Sequence, residues 1–188
     1  MIRYLRYLLL FALLGCATTP PAGFYTLSPG LAAPGTALPL SLGLTLSEFP
    51  EALDRPQLML RGGENRLDIQ ELHRWAAPLE SQVRRVLREN LARRTGSPRV
   101  ETHPWPTDFT PERQIRLAIT RFDGRPGATA DLAARWSLTA ADGTPLLSRT
   151  ATYSEAAGES IETLVAAQNR LLDKLTAEIV GSVTSEGK

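Results

Sequence analysis

Hydrophobic residues recur along this chain with two periods, and the positions where the period changes mark its elements. From Leu40 the period is two: Leu42, Leu44 and Leu46 alternate with Ser41, Gly43, Thr45 and Ser47, which predicts a half-buried strand. After a connection over residues 48–56, the runs 57–61 and 67–72 flank Gly62-Gly63-Glu64-Asn65. Its Gly and Asn residues supply the positive φ that a tight reversal needs, so the pair predicts a β-hairpin. The period then becomes helical. Leu79, Val83, Val86, Leu87 and Leu91 fall on one face of a helix predicted over about residues 76–95, with Arg84, Arg85, Arg88, Arg93 and Arg94 mostly off that face. Pro78 is tolerated in the first turn, where its missing N–H costs nothing, and Gly96 closes the last.

Residues 99–102 form a short predicted strand, stopped by His103-Pro104-Trp105-Pro106. Three runs with period two follow. Ile115, Leu117 and Ile119 belong to the first, Leu132, Ala134, Trp136 and Leu138 to the second, and residues 146–153 are the third. The turn sequences between them, residues 123–127 and Asp142-Gly143, predict an antiparallel meander. The chain closes with a helix over about residues 159–183. Ile161, Leu164, Val165, Leu172, Leu175 and Ile179 keep helical spacing there, and Gln168 interrupts the apolar set. Two amphipathic helices on a mixed or antiparallel sheet make an α+β two-layer sandwich. Of the tryptophans, Trp136 is in phase with its strand's core positions and Trp75 precedes a helix start, where a staple-like contact is expected. Both read as core rather than as a glycan-binding or lipid-binding surface.

Before Leu40 the pattern is of another kind. Arg3 and Arg6 precede an apolar run from Leu8 to Leu14, and Gly15 stands directly before Cys16, the only cysteine. This is a secretory signal over residues 1–15 ending in a lipobox, with Leu14 where Ala or Ser is usual. Cys16 is then the lipidated first residue of the mature chain. The competing reading is a plain signal peptide or an anchoring helix, but the apolar run falls short of the ~20 residues that a membrane span needs. Ala17, where an Asp would favour retention in the inner membrane, points to the outer membrane. Residues 16–39, rich in proline and glycine, read as a tether. Its one apolar island, Phe24-Tyr25-Thr26-Leu27, is expected to pack on the domain formed by residues 40–188.

Composition narrows the function. Without its signal the chain has 173 of its 188 residues, enough for one domain with a sizeable core, and its formal charge moves from +1 to −1. No basic field remains to recruit nucleic acid. The arginine-rich helix face, interleaved with Glu80 and Glu89, reads as a solvated face before it reads as a phosphate-binding one. With Cys16 acylated no thiol is left to pair, so stability rests on the core.

Catalytic signatures are missing from the sequence: it has no nucleophile elbow, zinc-protease pair, phosphate loop or dinucleotide fingerprint. His73 and His103 stand apart, and neither metal nor cofactor is expected. Asp131 or Glu155 could join another acid only through folding.

Several stretches in order carry a resemblance. After the lipobox and Phe24-Tyr25-Thr26-Leu27 come Leu53-Asp54-Arg55-Pro56-Gln57, Asn65-Arg66-Leu67, Arg74-Trp75-Ala76-Ala77-Pro78-Leu79 and Val86-Leu87-Arg88-Glu89-Asn90-Leu91. Pro104-Trp105, Arg121-Phe122-Asp123-Gly124, Trp136-Ser137-Leu138 and Leu164-Val165-Ala166-Ala167-Gln168 follow. The set resembles the ABC-type transport auxiliary lipoproteins, the PqiC/YmbA-like group, with Ile161 where an aromatic is common. The resemblance implies an outer-membrane lipoprotein facing the periplasm, with no catalytic residues. It implies as partners an MCE-domain transport protein with its ABC and inner-membrane components, and it allows self-association into a ring. The rival expectation is a small periplasmic hydrolase or ligand-binding lipoprotein with a pocket between sheet and helices.

Overall fold

The computed structural model describes residues 21–31 and 38–185, so Cys16 and the signal lie outside the described residues. The elements run β1 (Gly23–Tyr25), β2 (Leu42–Glu48), β3 (Gln57–Gly63), β4 (Arg66–Trp75), α1 (Leu79–Thr95), β5 (Val100–Thr102), β6 (Arg113–Gly124), β7 (Thr129–Ala140), β8 (Pro145–Ala156) and α2 (Ile161–Ser185). The class is α+β, as the pattern predicts. Five strands form the larger sheet in the order β5-β2-β6-β7-β8, with β2 parallel to both neighbours and β6, β7 and β8 antiparallel.

The 57–72 hairpin exists, turning at residues 64–65, but it does not extend the larger sheet. It joins β1 in a separate sheet of order β1-β4-β3, with β1 parallel to β4. That pairing also delays the first helix. The Trp75 N–H donates to the Pro56 carbonyl at 2.7 Å and the Ala76 N–H to the Tyr25 carbonyl at 2.8 Å, so the strand runs to Trp75 and the chain bends at residues 76–77 before the helix. α1 therefore begins at Leu79, three residues later than expected, with Pro78 at its N-cap (ψ 130°). Trp75 is in the core as expected, but from the end of a strand and without a helix-staple role. At the other end Gly96 adopts φ 54° and its N–H caps the Ala92 carbonyl.

α2 starts two residues later than expected because Ser160 caps it. The Thr163 N–H donates to Ser160 Oγ at 3.3 Å, and the Ser160 N–H to Thr163 Oγ1 at 3.1 Å, a reciprocal pair that satisfies two orphan donors. The helix lies across β6, β7 and β8, while α1 packs on α2 and β5. The core is therefore on one side of the larger sheet. Leu42, Leu44, Leu117, Ile119 and Trp136 from the strands meet Val83, Leu87, Leu171 and Leu175 from the helices, each 1% exposed or less. Each such aliphatic side chain contributes about 1.5–3 kcal/mol through burial.

The sheet's second face carries the alternate residues, Thr45 on β2, Gln114 and Arg116 on β6, Arg135 and Ser137 on β7 and Thr150 on β8, all exposed or half-buried. Gly43 is an exception. It lies on this face yet is buried, because residues 105–111 fold over it. A Cβ there would stand 2.8 Å from Pro111 Cγ and 2.9 Å from Trp105 Cζ3, so the strand needs a glycine at this position.

Candidate docking surface

The segment after β1 is strapped to the helices by side chains. Leu27 is 1% exposed, and its N–H donates to Gln82 Oε1 at 2.8 Å. The same oxygen accepts from Thr26 Oγ1 at 3.0 Å, while Gln82 Nε2 donates to the Ala77 carbonyl at 2.8 Å. Arg85 donates to the Leu27 carbonyl at 2.7 Å and Arg93 to the Gly30 carbonyl. The Gly30 N–H donates to Asn90 Oδ1 at 2.8 Å, and the Ser28 N–H to Asn169 Oδ1 on α2 at 3.0 Å.

Of the apolar island, Leu27 and Tyr25 pack on the body as expected while Phe24 stays exposed, and β1 is a true strand. The arginine face of α1 is exposed at Arg88 and Arg93 as expected, but Arg85 and Arg93 also hold the strap. Arg94 pairs with Asp173 of α2 at 2.7 Å, and Arg84 with Glu80 and the His103 carbonyl. Gln82 and Asn90 are contact residues that hydrophobic spacing alone does not single out. Their signal was a polar side chain within the apolar stripe of a helix.

At the N-terminal end of α1 two distant stretches meet. Asp54, Arg55 and Pro56 from one and Trp75, Ala77 and Pro78 from the other line a mainly apolar cleft of about 340 Å³. Asp54 Oδ1 accepts from the Glu80 N–H at 3.2 Å, which caps the helix that Pro78 leaves without a side-chain cap. A wider cleft of about 520 Å³ lies on the open sheet face, with Arg116, Gln114 and Ser137 lining it beside His103 and Trp105.

The two sheets are joined by charge. Asp123, 2% exposed on β6, accepts from Arg61 of β3 and from Arg121 at 3.1 Å, and Arg121 continues to Asp131 at 2.8 Å. A carboxylate this deeply buried requires such pairing.

The chemistry-bearing residues of the sequence do not converge. Asp131 is held by Arg121, and Glu155 by Arg170 and Lys174. Hydrogen bonding from Lys174, then from Arg170, keeps the Glu155 carboxyl below the usual range, the reverse of what an acid catalyst needs. His73 Nδ1 meets the Tyr25 hydroxyl at 2.7 Å, and His103 stacks edge-on against Trp105 at 5.0 Å. Among the described residues no group of three or more His, Cys, Asp or Glu is placed to hold a metal, and no helix is long and apolar enough to cross a membrane. Tyr153 is pushed up by burial and by its hydrogen bond to Glu178, which also accepts from Trp136 Nε1 at 3.1 Å; this carboxylate ties α2 to β7 and β8.

The chain belongs to the family of ABC-type transport auxiliary lipoprotein components, whose model matches residues 25–180. None of the curated proteins matches it. Solved structures share the fold. One is an uncharacterized protein with TM-score 0.72 and 16% identity, covering 87% of this chain and 99% of its own. Another, protein XCC0632 from Xanthomonas campestris, of DUF330, has TM-score 0.67 and 17% identity, covering 87% of this chain and 96% of its own.

Proposed function

We propose that the chain is a non-enzymatic docking subunit, anchored through acyl chains on Cys16 to the outer membrane and facing the periplasm. There it receives the end of an MCE-domain protein within an ABC-type system that moves lipids or other hydrophobic compounds between membranes. The observation that carries this reading is the strap. Side chains from both helices clamp residues 26–30, so the segment leading back toward Cys16 is fixed to the folded body and the body is held as a stationary surface. Membership of the transport-auxiliary family supports the same reading. Several acyl chains give stable anchoring, and confinement to a surface raises effective concentration, so a weak contact suffices.

The partner's place is the open face of the larger sheet and the free outer edge of β8, which the helices leave uncovered. Self-association into a ring would present several such faces around one axis. The mature lipidated chain in detergent is expected to capture the periplasmic part of the transport protein encoded beside it without nucleotide. It should turn over none of a panel of ester, phosphate and glycoside substrates. Turnover lost on changing one carboxylate or serine, with no capture, would establish the hydrolase instead.

A further inference from the structure

Large apolar side chains are well exposed at four described positions: Phe24 at 68%, Leu31 at 97%, Ile69 at 45% and Leu72 at 37%. Three of them belong to the neighbouring strands β1 and β4 of the small sheet. The two sides of that strand pair differ. Gly23 and Tyr25 lie opposite His73 and Trp75, where the Tyr25 hydroxyl meets His73 and Trp75 enters the core, so this side faces the body. Phe24 lies opposite Arg74 and takes the other side. Leu72, also exposed, lies two residues before Arg74 on β4, in the stretch where the pairing with β3 shifts register.

Two arginines lie here, and Arg74 Nε donates to the Glu71 carbonyl at 3.3 Å. Among the described residues neither Arg74 nor Arg55, at the rim of the adjoining apolar cleft, has an acidic partner, whereas Arg61, Arg94 and Arg121 are paired. Chain length adds a constraint. Cys16 precedes Gly23 by seven residues, and a fully extended chain advances at most about 3.6 Å per residue, so the start of β1 lies within roughly 25 Å of whatever holds Cys16.

We propose that this exposed part of the small sheet, around Phe24, Leu72 and Arg74, is a bilayer-contact surface. Phe24 and Leu72 enter the interfacial zone of the membrane that holds the acyl chains, with Arg74 and Arg55 against lipid phosphates. The inference rests on the acylation of Cys16. Two apolar side chains and two cations are a weak membrane site for a free protein, but the acyl chains already confine the body to that surface. Seating the small sheet fixes which way the body faces.

The test uses the full lipidated chain in vesicles of phosphatidylethanolamine and phosphatidylglycerol. Acylated Cys16 cannot be labelled, so one introduced cysteine carries an environment-sensitive NBD fluorophore in Phe24→Cys, Leu72→Cys or, as control, Thr150→Cys on the open sheet face. Labels at positions 24 and 72 are expected to shift to the blue. Lipids brominated near the headgroup should quench them several-fold more than the label at 150, and Arg55→Glu with Arg74→Glu should reduce that difference. Equal water exposure at all three positions in chains that float with the vesicles overturns the membrane surface but leaves the anchor standing. Chains that do not float overturn the anchor and this inference together. Labels at 24 and 72 that become shielded only when the transport partner is added assign the surface to a protein.

Discussion

Gln82 shows how one side chain can decide the course of a segment. It occupies a position that helical spacing gives to a hydrophobe, is 3% exposed, and uses its oxygen twice and its nitrogen once to hold Thr26, Leu27 and Ala77. Gln82→Ala leaves the buried Leu27 N–H without a partner, a loss of about 1–3 kcal/mol. Arg88, exposed and outside any ion pair among the described residues, should cost no more than about 0.5 kcal/mol as alanine. Denaturant unfolding of the two variants, with hydrogen exchange at Leu27, separates them. Equal stabilities and unchanged exchange would show that the strap is held by something else. The same logic covers Asp123, whose pairing with Arg61 adds a charged link between the sheets to the apolar one made by Leu58 and Trp75 in the shared core.

At the scale of elements, α1 is a wedge with one apolar side. Leu87, 1% exposed, fills the space between the helix and the larger sheet, so Leu87→Ala is expected to leave a cavity and cost about 2–5 kcal/mol. Arg84→Ala loses a surface pair with Glu80 and one bond to the His103 carbonyl, and should cost about 0.5 kcal/mol. Equal midpoint shifts in urea would mean that the helix is turned the other way. The orientation of α1 was legible because leucine and valine spacing is local information. Its first residue was not, since the extension of β4 to Trp75 depends on hydrogen bonds to the carbonyls of Pro56 and Tyr25, the latter about 50 residues earlier. Membership of two sheets was hidden for the same reason: the alternation of Leu58 and Leu60 says that a strand is half-buried, and not which neighbour it meets. The stretches around Asp54 and Trp75 stood out by resemblance, yet nothing in their spacing says that they close one cleft.

For the whole molecule, the proposed anchor predicts that Cys16→Ser abolishes labelling by radioactive palmitate and blocks cutting by the lipoprotein route; persistent labelling would sink it. The larger sheet also sets an order in time. β6, β7 and β8 are joined by short turns and can pair as soon as they exist, whereas β2 is parallel to strands whose partner residues, Val100 and Arg113, follow Leu42 by 58 and 71 positions. Contacts so distant in sequence are slow to close. A chain exported head first delivers β2 early, with Leu42, Leu44 and Leu46 bare until β6 arrives. On the proposed export route β2 is thus among the first strands to cross the membrane yet waits for β5 and β6, and during that interval its leucines depend on a holding chaperone or on the speed of export.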